Sequence, residues 1–237
     1  GRARAGADRL EARGEQGPPV DRLGEVRVAP GREARLPGTA HRLGGAGIHR
    51  IRSALLSASS PVAVRFRCLA MLELAGQDAA ANTLLQLLDD EAANPDMAAR
   101  AIRTLGMWGV SQLALRLDRF LKSSSLRLRL EAVEATGHLK ASRLTPRIAL
   151  IIERGADARL EAAAILCLKR LGAKEYVILI GERLYSQEFA VRLEAALALQ
   201  SLEEKDFGLK RDMDAVLQQN IIQKVRVWWQ KRITNNP

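Results

Sequence analysis

The chain has 237 residues, of which 47% are hydrophobic and 27% charged, proportions typical of a folded globular protein rather than a disordered or membrane protein. Only 4% are aromatic, too few for a β-sandwich or barrel, whereas the abundant alanine and leucine favour helices. The net charge is +10, and arginine outnumbers lysine by 29 to 8. This balance is weak support for an acidic partner, because ten of the arginines lie within residues 1–50.

The two cysteines, Cys68 and Cys167, form no Cys-x-x-Cys motif, so the sequence indicates neither a disulfide framework nor a zinc site. We therefore expect a reducing, cytoplasmic location and neither a bound metal nor a cofactor. No stretch has the length and composition of a membrane span or a secretory signal. The chain starts at Gly1 rather than at methionine, so we expect a processed or truncated chain.

Residues 1–46 are interrupted repeatedly by glycine and proline and contain no Phe, Tyr or Trp. Such a segment cannot bury enough apolar surface to offset its chain entropy, so we predict a disordered or irregular Arg/Gly/Pro-rich leader. Two alternatives stay open, an arginine–glycine arm for nucleic acid and a leader of non-native origin. Six carboxylates and the missing aromatic rings weigh against the nucleic-acid arm.

Residues 47–237 carry an internal repeat. The tetrapeptide Arg-Leu-Glu-Ala starts at Arg129, Arg159 and Arg192, and alignment on the preceding residue gives a period of about 32 residues. The aligned unit starts are Val64, Met97, Leu128, Ala158 and Val191. Small or apolar residues return at relative positions 1, 5, 8, 9 and 12, which places them on one helical face. The predicted units lie near residues 61–92, 94–123, 124–155, 156–186 and 187–220, followed by a C-terminal capping helix over 221–234.

A second apolar run follows each of these helices, and several runs keep the i, i+4, i+7, i+8 spacing of an amphipathic helix. Each unit should therefore be a helical hairpin, and the hairpins should stack, because one hairpin cannot cover its own apolar face. The expected fold is an all-α solenoid. The runs are Leu84, Leu85, Leu87, Leu88; Leu113, Leu117, Phe120, Leu121; Leu144, Ile148, Ile151, Ile152; Tyr176, Val177, Ile180, Leu184; and Leu209, Met213, Val216, Leu217.

Capping residues mark the predicted helix ends. Candidate N-caps are Ser60, Asn94, Asp157 and Ser186, the first two of which precede a proline. Candidate C-cap glycines are Gly76, Gly109 and Gly172.

The pattern Val-Arg-x-x-Ala-Ala-x-Ala-Leu-x-x-Leu-Gly is nearly complete from Val191 to Leu202. It resembles the short HEAT-like repeat of the phycobilisome-lyase (PBS lyase) type, and the resemblance covers residues 61 to about 219. The resemblance implies a right-handed α-solenoid of about five HEAT-like hairpins, whose second helices line a concave face. It is specific for a fold rather than a function, because such repeats occur in scaffolds, lyases, hydroxylases and DNA-repair proteins.

Arginines share one position of the repeat, and glutamates share another two residues later. They are Arg65, Arg129, Arg159 and Arg192, with Glu131, Glu161 and Glu194. Residues two apart on a helix do not face each other, so we predict that each arginine pairs with a carboxylate of an adjacent unit, in a structural ladder. A row of arginines that binds phosphate is the alternative.

The second helices of the second and third units are basic opposite their apolar stripe. Their cations are Arg116, Arg119, Lys122, Arg143, Arg147 and Arg154. Because this row lines the concave face of the solenoids that the repeat resembles, the cations predict a binding surface for an acidic peptide or a nucleic-acid backbone. The alternative is that these charges merely solvate an exposed helix face.

Two adjacent tryptophans, Trp228 and Trp229, lie among basic residues near the C-terminus. Both cannot point inward from one helix, so the pair is a candidate docking site for protein, lipid headgroups or bases. Capping of the last unit, with one ring exposed, is the favoured alternative.

No catalytic motif accompanies the repeat: GxSxG, P-loop, GxGxxG and HExxH patterns are missing, and His138 is the only histidine in the repeats. The chain also lacks the His-Glu pairs with which HEAT-like hydroxylases hold iron. We therefore predict a non-enzymatic scaffold or adaptor that binds another protein through its concave face. The alternatives are a bilin-lyase-like or chaperone-like accessory subunit, implied by the resemblance alone, and nucleic-acid binding through the basic groove.

The small residue at relative position 5, Ala132 in the third unit, should let neighbouring helices approach closely. Ala132→Trp should lower the Tm by several degrees, because overpacking costs about 1 to 3 kcal/mol. Thermal unfolding followed by circular dichroism measures this change. An unchanged Tm would show that the helices do not approach at this position.

Overall fold

A computed structural model describes residues 39–90, 94–155 and 157–235. Throughout this part of the chain the structure is helical and contains no β-strand. Its α-helices are α1 (Thr39–Leu56), α2 (Val62–Ala75), α3 (Gln77–Asp89), α4 (Pro95–Met107), α5 (Leu117–Leu121), α6 (Leu126–His138), α7 (Thr145–Arg154), α8 (Ala158–Leu171), α9 (Val177–Glu182), α10 (Phe189–Leu202) and α11 (Ala215–Asn235). Short 3₁₀-helices lie at Ser111–Leu115, Ser142–Leu144, Lys174–Tyr176 and Arg183–Tyr185. Among the helices described, none combines the length and the apolar character that crossing a membrane requires.

Helix α1 begins earlier than the sequence predicts. Residues 39–46 are helical, so the irregular leader expected over 1–46 is wrong there, and residues 1–38 lie outside the described part of the chain. The helix breaks at Gly44, where φ is 57° and ψ is 166°, a conformation that glycine adopts at little cost. Beyond this break α1 packs on α2 and α3 and buries Leu55 completely. This packing outweighs the low helix propensity of the glycines.

Two of the four predicted N-cap residues cap their helices. The carboxamide oxygen of Asn94 accepts hydrogen bonds from two backbone N–H groups in the first turn of α4, at 2.9 and 3.3 Å. Asp157 caps α8 in the same way. Ser60 does not cap α2, because Pro61 occupies the N-cap position, and Ser186 lies two residues before the N-cap of α10. The predicted C-cap glycines all have positive φ: Gly76, Gly109 and Gly172.

The first helices of successive units pack directly on one another, α4 on α6, α6 on α8 and α8 on α10. A Cβ built on Gly106 of α4 would lie 3.0 Å from the Cβ of Ala135 in α6. One built on Gly137 of α6 would lie 3.5 Å from the Sγ of Cys167 in α8. Small side chains therefore allow the helix backbones to approach closely. The position-5 residues Cys68, Ala101, Ala132 and Ala195 are buried, as predicted.

The fourth unit lies two residues later than the alignment predicts. Its buried face includes Leu160 and Ala164, whereas the predicted Ala158 and Ala162 are half-buried. Moving the unit start to Leu160 makes its spacings to the neighbouring units 32 and 31 residues. The alignment follows the Arg-Leu-Glu-Ala tetrapeptide, but packing follows the apolar face, and in this unit the two differ in register.

The buried face of α2 is also turned from the predicted one. Val64 and Met71 are each 39% exposed, whereas Arg65, Leu69 and Leu72 are buried. Helix α2 packs mainly on α1 and α3, and its contact with the next first helix, α4, is small.

Helices α3, α5, α7 and α9 are the second helices of the first four units. The fifth unit differs, because irregular chain over residues 203–214 replaces its predicted second helix. The last helix, α11, accordingly begins at Ala215 rather than at residue 221. The predicted boundary between the fifth unit and the capping helix is therefore wrong.

Hydrogen bonds from Gln200 hold this irregular segment in place. Its carboxamide oxygen accepts the backbone N–H groups of Phe207 at 3.0 Å and Leu209 at 3.2 Å. Leu209 is thereby buried without a helix, whereas Val216 of the same predicted apolar run is 69% exposed. A polar side chain that satisfies loop backbone groups is an alternative to helical hydrogen bonding.

Trp229 fixes α11 against the second helix of the fourth unit. Its side chain is 2% exposed and lies over Gly181 of α9. A Cβ built on Gly181 would lie 2.1 Å from the Cε2 and Cζ2 atoms of the ring, so only glycine leaves room for it. The small residue at 181 is thus a condition for this packing.

Gly181→Ala should lower the free energy of unfolding by about 1 to 3 kcal/mol, because the new methyl group collides with the Trp229 ring. Gly45→Ala is the control, since a Cβ at Gly45 meets nothing within 4 Å and alanine favours helix. Thermal unfolding of both variants measures the difference. Equal Tm values would contradict the close approach of α9 and α11.

Candidate functional site

The three glutamates predicted for the ladder are 5 to 8% exposed, and each accepts hydrogen bonds from an arginine of another segment. The pairs are Glu131 with Arg103 (3.0 Å), Glu161 with Arg183 (2.7 Å) and Glu194 with Arg211. These charge-assisted bonds join α4 to α6, α8 to the 3₁₀-helix after α9, and α10 to the irregular segment that follows it.

The arginines predicted for the ladder contact other groups. The Nε–H of Arg65 donates to the Leu55 carbonyl at 2.7 Å, and Arg192 donates to two carbonyls before α10 at 2.9 and 2.7 Å. Arg129 is half-buried and Arg159 is exposed. Arg65 and Arg192 therefore do not pair with a carboxylate of an adjacent unit as predicted, because each guanidinium reaches backbone carbonyls just before its own helix.

The six predicted cations of the second helices, which we call the second-helix strip, are distributed along two adjacent helices. Arg116, Arg119 and Lys122 flank or belong to α5; Arg143 precedes α7, and Arg147 and Arg154 belong to it. Most of these side chains are bonded to the preceding unit, so their contacts decide which charges stay available to a partner.

Arg116 and Arg119 both bind groups at the C-terminal end of α3. Arg116 forms two hydrogen bonds of 2.7 Å with the carboxylate of Asp89, and this guanidinium holds the pKa of Asp89 below its usual range. Arg119 donates to the Leu88 carbonyl, and its Nη2 lies 3.6 Å from Asp89. The two arginines thus share one carboxylate.

Asp118 neutralises a second part of the strip. It accepts hydrogen bonds from Lys122 and, at 3.1 Å, from the Nε of Arg147. The bond from Lys122, followed by that from Arg147, lowers the pKa of Asp118. Arg143 donates only to a backbone carbonyl of the preceding unit, and Arg154 is exposed. Arg143 and Arg154 are therefore the least neutralised cations of the strip.

Two shallow depressions lie between α5 and α7, beside these cations. The larger has a volume of about 360 Å³, at the lower end of the range for ligand pockets, about 300–1,000 Å³. The smaller has a volume of about 110 Å³, and both are lined by Arg147 and Leu150. Each combines cations with aliphatic side chains, and the larger is also lined by the carboxylates of Asp118 and Glu153. The smaller has no carboxylate in its lining and is suited to a segment that carries carboxylates and apolar groups.

Leu150 is the residue of this site that sequence reasoning missed. It lies on α7 three residues after Arg147 and four before Arg154, a spacing that places all three on one face. A leucine between two arginines on a polar helix face is the signal by which it could have been found.

The two adjacent tryptophans differ in exposure. Trp229 is buried, with the Arg232 guanidinium 5.6 Å from its ring centroid. Trp228 is half-buried and packs edge-on against Phe207, with 5.2 Å between the ring centroids. The docking prediction is wrong for Trp229, because its ring is buried over Gly181 of α9.

The groups with reactive side chains lie away from the strip, on the first helices. Cys68 and Cys167 are buried, and burial raises the pKa of both thiols, that of Cys167 to about 12. Partial burial, with the Arg170 guanidinium nearby, lowers the pKa of His138. Within the described ranges, no three His, Cys, Asp or Glu side chains are grouped to hold a metal ion.

Comparison with known proteins adds no relative: no family model matches the chain, and no curated protein sequence matches it significantly. A function must therefore be argued from the residues of the second-helix strip and the depressions beside it.

Glu161→Gln should destabilise the fold, because it removes the buried carboxylate from the Nε of Arg183, whose side chain is 18% exposed, and leaves that arginine paired with the exposed Glu182. Breaking a buried pair costs about 3 to 5 kcal/mol, and the partial exposure reduces the expected loss here to about 2 kcal/mol. In the control Glu204→Gln, which breaks the exposed pair with Lys174, the free energy of unfolding should not change. Urea denaturation of both variants measures the effect, and equal stability would argue against a bridging role for Glu161.

Proposed function

We propose that the chain is a non-enzymatic scaffold, a right-handed α-solenoid of HEAT-like hairpins that binds an acidic segment of another protein along the second-helix strip. The observation that carries this proposal is the pair of depressions between α5 and α7, which combine Arg143 and Arg154 with Leu150. The repeat of about 32 residues and the successive packing of α4, α6, α8 and α10 support the solenoid. In such a stack the second helices form a continuous face.

An acidic protein segment fits this strip better than a nucleic acid does. The residues that line the two depressions include aliphatic side chains, among them Leu150 and Ile151, but no aromatic ring on which a base would stack. A peptide that alternates carboxylates with aliphatic side chains complements both kinds of group.

The test compares two double charge reversals of equal size. Arg143→Glu with Arg154→Glu removes the least neutralised cations of the strip. Arg67→Glu with Arg159→Glu reverses two exposed arginines of the first helices α2 and α8. Wild type and both variants are used, as full chains, for affinity capture from host lysate followed by cross-linking and mass spectrometry.

We expect wild type and the first-helix variant to capture an acidic protein whose cross-links map to α5 and α7, and the strip variant to lose it. Equal capture by the two double variants would exclude the strip as the binding surface. Capture of mainly nucleic acid, removed by nuclease and by high salt, would replace the proposal with nucleic-acid binding.

A further inference from the structure

Arginines close seams between neighbouring helices. In each case a guanidinium donates to a carbonyl near the end of an earlier helix, a contact that we call an arginine cap. The caps are Arg65 on Leu55 (2.7 Å), Arg119 on Leu88, Arg183 on Ile152 (2.8 Å) and Arg226 on Leu184 (2.8 and 2.6 Å).

The physical basis of these caps is the unsatisfied C-terminal end of a helix. The last carbonyls have no intrahelical donor, and a cation is favoured at the negative end of the helix dipole. An arginine meets both needs, and its aliphatic stem covers apolar surface beside the carbonyl. The cap therefore both satisfies the helix end and fills the seam.

The seam between α5 and α7 is built differently. The carbonyl of Leu121 closes the apolar run of the second unit, as the capped carbonyls close theirs. However, the equivalent of Arg119, 31 residues later, is Leu150, and the equivalent of Arg183, 32 residues earlier, is Ile151. Two aliphatic residues thus stand where neighbouring seams use arginine.

The smaller depression lies at this seam, which we call the open seam. Its volume is about 110 Å³, and its lining consists of three aliphatic residues and three cations. They are Leu121, Leu150 and Ile151, with Lys122, Arg147 and Arg154. The space that an arginine stem fills elsewhere is therefore open here, apolar on one side and positively charged on the other.

We propose that the open seam takes an aliphatic side chain from the acidic segment, with a carboxylate of that segment paired to Arg154. This inference rests on the proposed function and identifies the anchor of the acidic segment, which is the aliphatic side chain bound in the open seam. A basic occupant would meet three like charges, and a side chain without apolar surface would leave Leu150 and Ile151 facing water. The small volume suits leucine or isoleucine better than an aromatic ring.

The test installs the arginine that the other seams carry. Leu150→Arg should fill the open seam and cap α5, so that the Tm is kept or rises while the anchor site is lost. The probes are a fluorescein-labelled acidic peptide with one central leucine and the same peptide with serine in place of that leucine. Fluorescence anisotropy should show that wild type prefers the leucine peptide about tenfold, which is about 1.4 kcal/mol. The variant should bind the two peptides equally.

Ile178→Arg is the matched control, because Ile178 is an aliphatic residue of α9 that is 53% exposed. It adds the same charge outside the open seam and should keep the tenfold preference. If Leu150→Arg lowers the Tm, Leu150→Ser is used instead, since it removes the apolar side chain from the lining of the open seam without adding bulk. It too should lose the preference for leucine.

The outcomes separate this inference from the proposed function. Equal binding of both peptides to wild type, weakened by the Arg143 and Arg154 reversal, would overturn the anchor and leave the basic strip as the binding surface. Retention of the leucine preference in both Leu150 variants would also overturn the anchor. Absence of binding, or tighter binding of a peptide with lysine in place of each carboxylate, would overturn both proposals.

Discussion

Direct packing of successive first helices is the constraint on which the rest of the described structure depends. Gly106 against Ala135, and Gly137 against Cys167, bring backbones close enough for side chains of one unit to reach the next. Arginine contacts then join groups that lie 27 to 31 residues apart in sequence, as from Arg116 to Asp89 and from Arg183 to Ile152. The packing of the first helices also sets the positions of the second helices, and therefore the position of the depressions between α5 and α7.

The all-helical structure could be predicted from the sequence, because apolar residues at helical spacing leave few other ways to bury them. The register of the fourth unit could not, since the Arg-Leu-Glu-Ala tetrapeptide and the apolar face give starts two residues apart. The missing second helix of the fifth unit could not be predicted either. Its apolar run is ordinary, and the loop is held by Gln200, a contact between residues that no pattern links.

The candidate site was predictable in position but not in charge. Opposition to an apolar stripe is enough to place Arg143, Arg147 and Arg154 on one exposed face. Which cations are neutralised depends on where Asp89 and Asp118 lie relative to them, and the helical period of the sequence does not predict these positions. The same limit applies to the ladder. Of its three glutamates, Glu131 pairs with Arg103 of the neighbouring unit, whereas Glu161 and Glu194 pair with Arg183 and Arg211 of their own units. Long arginine side chains reach several acceptors, so their partners follow from packing alone.

The excess of arginine over lysine has a structural explanation that changes how the net charge is interpreted. One guanidinium can serve a carbonyl and a carboxylate of the neighbouring segments at once, as Arg183 does with Ile152 and Glu161. A lysine ammonium is a compact point charge and lacks the planar fork that bridges two acceptors in this geometry. Many arginines are therefore required to join neighbouring segments, and their charge is paired with acceptors of the protein itself. The cations that remain available to bind a partner are the few without such internal contacts. They lie beside the open seam, where leucine and isoleucine occupy the positions that arginine has in neighbouring seams.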